Sequence, residues 1–360
     1  MAKGKSVNAV ILIPSLEPDE RLPAYIRQLS EHGFQRIVVV DDGSGDAYQS
    51  IFQELEQTPG TTVLHHEVNR GKGVALKTGY RYISEHLTGI SGVITADADG
   101  QHSVRDCLRL AEKLQTGERA LYLGSRDFSL KNVPPKSRIG NRVTSVLFLL
   151  LYGKWVSDTQ TGLRAFRAEE LPFMMEVAGE RFEYEMNVLI ACARSRIPML
   201  PVTIETIYEN DNRGSHYHPL RDSVRIFRVL LAGFLRFMGS SLVCVVIDQG
   251  VFNLLNLAVF GNGIRKKAVY ILLSTVIARI VSAGTNFVIN KNLVFHLKGK
   301  ARGALGRYIL LSVAIMLLSA GGTWLLSQTG LSSTLAKLII DTLLYFVSFR
   351  VQERWVFREA

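Results

Sequence analysis

A chain of 360 residues is long enough for two domains, and its composition divides it: the first two thirds alternate apolar and charged stretches, while the rest is dominated by long apolar runs. A formal net charge of +10 beside such runs suits an anionic membrane surface and phosphate-bearing substrates, a reading that outranks nucleic acid. Cys107, Cys192 and Cys244 stand too far apart for a metal or redox motif, which excludes a disulfide framework and leaves buried thiols in a reducing compartment.

The N-terminus leads straight into an apolar run at Val10 to Ile13 and not into a signal-peptide core, so the first domain is expected in the cytosol. A helix near Leu22 to His32, a strand from Arg36 to Val40, a helix through Tyr48 to Leu55 and a strand from Thr62 to His65 follow. Alternation of this kind predicts a doubly wound α/β sheet, with ligands at the carboxyl ends of its strands.

The short motifs fall at those ends. Val38 to Ser44 runs out of a strand into Asp41, Asp42, Gly43 and Ser44; taken alone it is also ordinary turn chemistry, with Asp42 capping the next helix. Asn69-Arg70-Gly71-Lys72-Gly73 is a glycine-rich approach to a helix and suits an anionic ligand near backbone N–H groups, although it lacks the spacing of a Walker loop. Lys77, further along, reads equally as part of a plain basic loop. Gly92 to His102 ends a strand in Asp97 and Asp99. Two positions apart on an extended backbone, these carboxylates would point the same way, toward one divalent cation, with Gln101 as a nearby oxygen donor. Such a metal, Mg²⁺ or Mn²⁺, would neutralise a departing diphosphate. A bare Asp-x-Asp is frequent by chance; the strand context and the upstream carboxylates raise its weight.

Asn212 to Pro219 joins the halves, and from Leu220 to Phe237 apolar positions alternate with Arg221, Arg225, Arg228 and Arg236, as in an amphipathic helix lying on a membrane surface. Four runs then approach the roughly 20 apolar residues that cross a bilayer: Gly239 to Phe260, Val269 to Ile289, Tyr308 to Ser327 and Leu335 to Phe349. Lys291, Lys298, Lys300, Arg302 and Arg307, with Arg350, Arg354 and Arg358 in the tail, place both of those segments in the cytosol. Arg265, Lys266 and Lys267 argue the other way. Asn286 to Phe295 lines up with Ser348 to Phe357, so the expected domain is two copies of a helical hairpin. Asp248, Arg279 and Asp341 lie inside the runs, where a lone charge is costly; mutual pairing and a polar path explain them equally well.

The second half resembles the GtrA-like family of four-helix membrane proteins, on Arg236-Phe-Met-Gly239, Asp248, Asn286-Phe287, Asn290-Lys291, Val294-Phe295 and Trp355-Val-Phe357. The first resembles family-2 glycosyltransferases with the GT-A fold, in the dolichol-phosphate mannosyltransferase and GtrB-like branch. That match rests on Pro14 with Glu17, Asp41 to Ser44, Asn69 to Gly73, Asp97 to His102, Gly124 to Arg126, Ser137 to Asn141 and Ser157 to Gly162, in this order. The resemblance implies a Rossmann-like GT-A domain over residues 1–218, an amphipathic juxtamembrane helix over 219–236 and an all-α domain of four transmembrane helices over 237–360. The implied enzyme is a metal-dependent, inverting polyprenyl-phosphate hexosyltransferase of the plasma membrane, with its catalytic domain and both termini cytosolic. By analogy its partners are UDP-glucose, or else GDP-mannose, and an undecaprenyl-type phosphate; a homo-oligomer is compatible with it, and no nucleic acid is expected.

Carried over residue by residue, Pro14, Glu17, Asp41, Asp42, Lys72, Asp97, Ala98 and Asp99 would hold the donor, and Asp97, Asp99 and Gln101 the metal. Arg126, Ser137 and Arg138, joined by Arg213 and His216 from the loop before the juxtamembrane helix, would meet the acceptor phosphate, and Asp158 would act as base or orienting group. The membrane half would anchor the enzyme and help carry its lipid-linked product across. Two departures stand out. Pro14-Ser-Leu-Glu17 lacks the family's aromatic residue, and Gln352-Glu-Arg-Trp355 has the wrong spacing for a processive synthase, so single-sugar transfer is expected. The competing reading is a lipid-linked-sugar translocator with a regulatory soluble domain.

Overall fold

Ile37 to Val40 offer no polar face to water, and they form a strand buried on both sides, β2 (Ile37–Asp41). The computed structural model describes residues 7–130, 133–205, 219–255, 268–295 and 301–357. Arg213 and His216 lie outside the described residues, as do Arg265, Lys266, Lys267, Lys298, Lys300 and Arg358.

The chain divides into two compact units, 1–230 and 231–360. In the first, β2 pairs in parallel with β1 (Ala9–Ser15) and β3 (Thr61–His65), and β1 pairs on its other side with β4 (Gly92–Thr95). β5 (Leu121–Arg126), β6 (Arg164–Arg167) and β7 (Met199–Ile204) complete a seven-stranded sheet among the described residues, in the order β3-β2-β1-β4-β6-β5-β7. β6 runs antiparallel between β4 and β5, so the sheet is mixed.

Helices cover both faces because β1 and β2 are apolar on both. Ile11, Ile13, Ile37 and Val39 join one core cluster with Leu22, Tyr25, Ile26 and Leu29 of α1 (Arg21–Glu31), Phe52 and Leu55 of α2 (Gln49–Glu56) and Leu110 of α4 (Val104–Thr116). The 22, 25, 26, 29 spacing is that of one helical face. On the other face Gly79 of α3 (Lys72–His86) lies against Leu12, where an added Cβ would stand 2.2 Å from Leu12 Cδ1. Burying each such aliphatic side chain contributes about 1.5–3 kcal/mol.

α5 (Pro135–Tyr152) is different. Ile139, Val143, Val146 and Leu150 recur at helical spacing and are exposed, giving an apolar stripe that the sequence reading did not single out. α6 (Leu171–Glu176) and α7 (Glu183–Ser195) follow, the latter ending in the left-handed Arg196.

The residues read as a surface helix and most of the first membrane run fall in one continuous helix, α8, from Pro219 to Leu254. A helix satisfies its own backbone hydrogen bonds whatever solvent surrounds it, so a change of composition does not interrupt it. α9 (Ala268–Ile289), α10 (Ala301–Ser327) and α11 (Ser333–Val351) follow. Of these helices, the stretches Arg221–Leu254 and Gly303–Ser327 are long and apolar enough to cross a membrane. Val246, Ile280, Leu317 and Leu338 are each more than 60% exposed, a surface suited to lipid.

The repeat has a structural counterpart inside this unit. Each copy closes in a single π-helical turn, Asn290–Val294 and Gln352–Val356. The corresponding residues Asn290 and Gln352 meet, Nδ2 donating to Oε1 at 3.0 Å in a buried site. Phe295 stacks on its counterpart Phe357 at 5.1 Å, and the crossed contacts Phe287–Phe357 and Phe295–Phe349 are nearly equal at 5.5 and 5.8 Å. The two hairpin ends are thus related by an approximate two-fold. Arg279 Nε lies 3.7 Å from Asp248 Oδ1, which also accepts from Ser282, and Asp341 accepts from Ser319.

Candidate active site

β1 and β2 end side by side, Ser15 opposite Asp41, and each runs into a tight turn. Glu17 adopts φ 48°, a left-handed conformation costly for a residue with a side chain, and its N–H donates to Ser44 Oγ at 2.8 Å. Gly43, at φ 77°, passes so close to the next loop that a Cβ would stand 2.3 Å from the Val68 carbonyl carbon.

Asp42 does not cap the following helix. Its carboxylate, 4% exposed, accepts from the N–H groups of Arg70 (3.0 Å) and Gly71 (2.7 Å) and from His66 Nδ1 (2.8 Å), and so pins the glycine-rich loop to the end of β2. Asp41 accepts from Ser44 N–H at 2.8 Å and His65 Nδ1 at 2.9 Å.

Pinning that loop sets the start of α3 and with it Lys72. The ammonium donates to Asp97 Oδ1 at 2.6 Å and lies 3.0 Å from Glu185 Oε1 on α7. Burial alone would lower its pKa, but the two carboxylates outweigh burial and hold it above the usual lysine value. Asp97 is the mirror case: burial opposes its charge, yet Lys72 and His102 keep its carboxyl well below the usual range. In Asp99, burial and the neighbouring Asp97 charge both push the pKa up.

Asp97 and Asp99 are not on the strand, as the extended-backbone expectation had them; β4 stops at Thr95 and the pair sits in the turn that follows, where Gly100 reaches φ 72°. Pro14, Glu17, Asp42, Lys72, Asp97, Ala98 and Asp99 nevertheless line one cavity of about 620 Å³, a size ordinary for a nucleotide-scale ligand. Asp41 opens instead onto an adjoining cavity of about 460 Å³ with His65 and Glu56.

The remaining expected residues do not line the first cavity. Asp158 is fully buried and takes Arg126 in a two-point ion pair, Nε to Oδ2 at 2.7 Å and Nη2 to Oδ1 at 3.1 Å. Asn141 ties their loops together, donating to the Ser157 carbonyl and accepting from Thr159 N–H and Oγ1. Ser137 is partly buried, and Arg138 is exposed with Nη2 on the Leu130 carbonyl at 2.8 Å.

Oxygen donors suit a hard divalent cation. Asp97 already commits Oδ1 to Lys72 and Oδ2 to His102 (3.2 Å), whereas Asp99 takes an N–H from Gln101 at 3.1 Å and has its charged form disfavoured by burial and by Asp97. The residues therefore fit Mg²⁺ or Mn²⁺ with Asp99 as the principal ligand and Asp97 and Gln101 beside it. Among the described residues no cluster of three or more His, Cys, Asp or Glu encloses an ion by itself, so a ligand's own oxygens would complete the shell.

Sequence reasoning missed Glu185, Arg181, Phe182, Arg221, Asp222 and Arg225 at this site; only the pairing of Lys72 with Asp97 leads to Glu185, through space. It also passed over Gly162 as a packing position. A Cβ there would lie 2.3 Å from Asp97 Oδ2, and the Gly162 carbonyl accepts from Thr95 Oγ1 at 2.8 Å. Gly162→Ala is expected to push Asp97 off Lys72, lowering the thermal midpoint and weakening nucleoside-diphosphate binding by about tenfold, read by thermal unfolding and titration calorimetry.

Residues 11–171 match Glycosyl transferase family 2, and residues 236–357 match the GtrA/DPMS transmembrane domain. An uncharacterized protein of Methanocaldococcus jannaschii is 32% identical over 202 residues, 55% of this chain and 81% of that one. UDP-N-acetylglucosamine–dolichyl-phosphate N-acetylglucosaminyltransferase of Methanococcus voltae is 30% identical, over 55% of this chain and 85% of its own. Undecaprenyl-phosphate mannosyltransferase of Micrococcus luteus is 27% identical, over 55% and 83%.

Proposed function

Because the chain belongs to glycosyl transferase family 2 and carries a GtrA/DPMS transmembrane domain, we propose that it moves one hexose from a nucleoside-diphosphate sugar to a polyprenyl phosphate at a membrane surface. The relatives that act on dolichyl and undecaprenyl phosphates support the acceptor. The observation that carries the reading is the cavity wall in which Lys72, braced by Asp97 and Glu185, stands beside Asp99.

Lys72, at the start of the helix that the glycine-rich loop leads into, binds the donor diphosphate, and Glu17 and Asp42 shape the nucleoside end of the cavity. A divalent ion on Asp99 would stabilise the charge that grows on the leaving nucleotide. The acceptor phosphate is ionised at neutral pH, so no strong base is needed; Asp158 orients Arg126 toward it. Attack from the side opposite the departing diphosphate inverts the anomeric carbon. The exposed stripe of α5 lies against the bilayer surface, and α9 and α11, at 22 and 19 residues, add two spans to the two long helices, with the first unit in the cytosol.

Membranes holding the full chain, given undecaprenyl phosphate, Mg²⁺ and in turn UDP-glucose, UDP-N-acetylglucosamine and GDP-mannose, are expected to form a lipid bearing a single sugar from one donor. UDP-glucose is the expected donor. No labelled lipid from any donor, or a growing polymer, would refute the proposal.

A further inference from the structure

Among the described residues, the first cavity has two aromatic side chains in its wall, Tyr48 and Phe182. Tyr48 ends the short helical turn Asp46–Tyr48 that follows Asp42 and Gly43, so it belongs with the residues that shape the nucleoside end. Phe182 comes from a segment more than a hundred positions further along. Its ring centroid lies 5.8 Å from Nζ of Lys72, the cation assigned to the donor diphosphate.

Several contacts fix Phe182 in that place. Gly179 turns at φ 117°, and the carbonyls of Gly179 and Glu180 accept from Lys77 Nζ and from the Val74 N–H, each at 3.0 Å. Glu183 Oε1 closes the turn by accepting the N–H groups of Glu180 at 3.1 Å and Arg181 at 3.2 Å. Two glycines make room for it. A Cβ at Gly71 would stand 2.6 Å from the Glu180 carbonyl oxygen, and one at Gly73 would stand 2.7 Å from Tyr184 Cβ. The glycine-rich approach to α3 thus lets the turn before α7 come close, and that turn delivers Phe182 to the cavity beside Lys72.

A diphosphate held by Lys72 determines what lies next to Phe182. The sugar is joined to the second phosphate by a single oxygen, so its ring has to sit beside whatever binds the diphosphate. Asp97, Asp99 and Arg181 in the same wall suit hydroxyl groups. Phe182 offers the opposite, a flat apolar surface. A hexopyranose matches both, because it carries hydroxyls around its rim and C–H bonds on its faces, and those hydrogens are attracted to the negative face of an aromatic ring. We propose that the hexose of the donor packs against Phe182, which makes this residue the part of the wall that tells a nucleotide sugar from the bare nucleoside diphosphate. The assignment rests on the reading of the cavity under Proposed function.

The test uses the full chain with Mg²⁺ in lipid nanodiscs free of polyprenyl phosphate, so that no sugar is transferred. UDP-glucose and UDP, and in parallel GDP-mannose and GDP, are titrated against wild type, Phe182→Leu and Phe182→Tyr. Leucine keeps apolar bulk and loses the flat face, whereas tyrosine keeps the ring. In the pair that wild type binds, Phe182→Leu is expected to weaken the nucleotide sugar about threefold to tenfold while the bare diphosphate stays within about twofold, and Phe182→Tyr is expected to stay within about twofold for both. Unchanged affinity of Phe182→Leu for the nucleotide sugar overturns the assignment. So does an equal loss of the bare diphosphate, or a wild type to which the sugar adds no affinity. If Phe182→Leu does not fold, Phe182→Met carries the same comparison. Failure of both bare diphosphates to bind wild type is a different result: it removes the reading of the cavity as a donor site, and the role of Phe182 with it.

Discussion

Asp99→Asn is expected to lower sugar transfer by about a hundredfold to a thousandfold, the usual cost of removing one group that stabilises charge developing in a transition state. The substitution keeps the size of the side chain and its acceptance of the Gln101 N–H, so the turn should stay folded. What it removes is charge at a position where burial and Asp97 already oppose charge. A divalent cation beside Asp99 would offset both effects. Chelator should reproduce the loss in wild type and add little to the variant. Full activity in Asp99→Asn, or in excess chelator, would take the metal out of the mechanism. Asp97→Asn, by contrast, should act mainly on donor binding, because the Asp97 oxygens face Lys72 and His102.

The second large effect is expected at Arg126. Asp158 is fully buried and Arg126 is 24% exposed at its side chain, so removing the arginine leaves an uncompensated charge in the interior. Breaking such a pair from one side costs about 3–5 kcal/mol. For a unit of this size, that is a fall on the order of 10 °C in thermal midpoint. Arg126→Ala is therefore expected to destabilise the first unit, measured by thermal unfolding in detergent. Arg126→Gln combined with Asp158→Asn leaves no buried charge and should recover most of the midpoint. Sugar transfer separates the roles. A stable, inactive double variant supports Arg126 at the acceptor phosphate, and a stable, active one makes the pair structural alone.

The parts of the fold legible in the sequence are those decided locally. β1 and β2 announce themselves because both of their faces are apolar, and the observed ends of β1, β2 and β3 fall within a residue or two of the expected ones. The hairpin repeat could be read because it recurs as sequence. β6 could not: Arg164 to Arg167 is four residues with two arginines, and it becomes a strand only because β4 and β5 leave a slot between them. Arg164, 4% exposed, is held there by the carbonyls of Thr161 and Glu185.

The candidate site divides the same way. Asp97, Asp99 and Lys72 are visible as motif residues, but that Lys72 is shared between Asp97 and a glutamate more than a hundred positions away is a fact of packing. Asp42 was legible as important, but its partners could not be read, since they lie across a loop and not in the next helix. Arg221 and Arg225 read as a membrane-facing charge run because nothing in their spacing reveals that the first turns of α8 border the cavity.

The near-equivalence of the two hairpin ends has a consequence for how chains assemble. Asn290 and Gln352 meet as counterparts, and the phenylalanine contacts around them are reciprocal. Each hairpin thus presents to the other nearly the surface that it receives, and a hairpin from a neighbouring chain would present the same. Exchange between copies would lose few contacts, the circumstance in which domain swapping is a low-cost route to dimers. What resists it is the small inequality between the halves. An asparagine facing a glutamine spans the gap at 3.0 Å, while two asparagines would fall short by a methylene and two glutamines would crowd. A polar residue at a single buried position is a known means of fixing which helices pair, and here the difference of one carbon between two amides would keep each first hairpin with a second one.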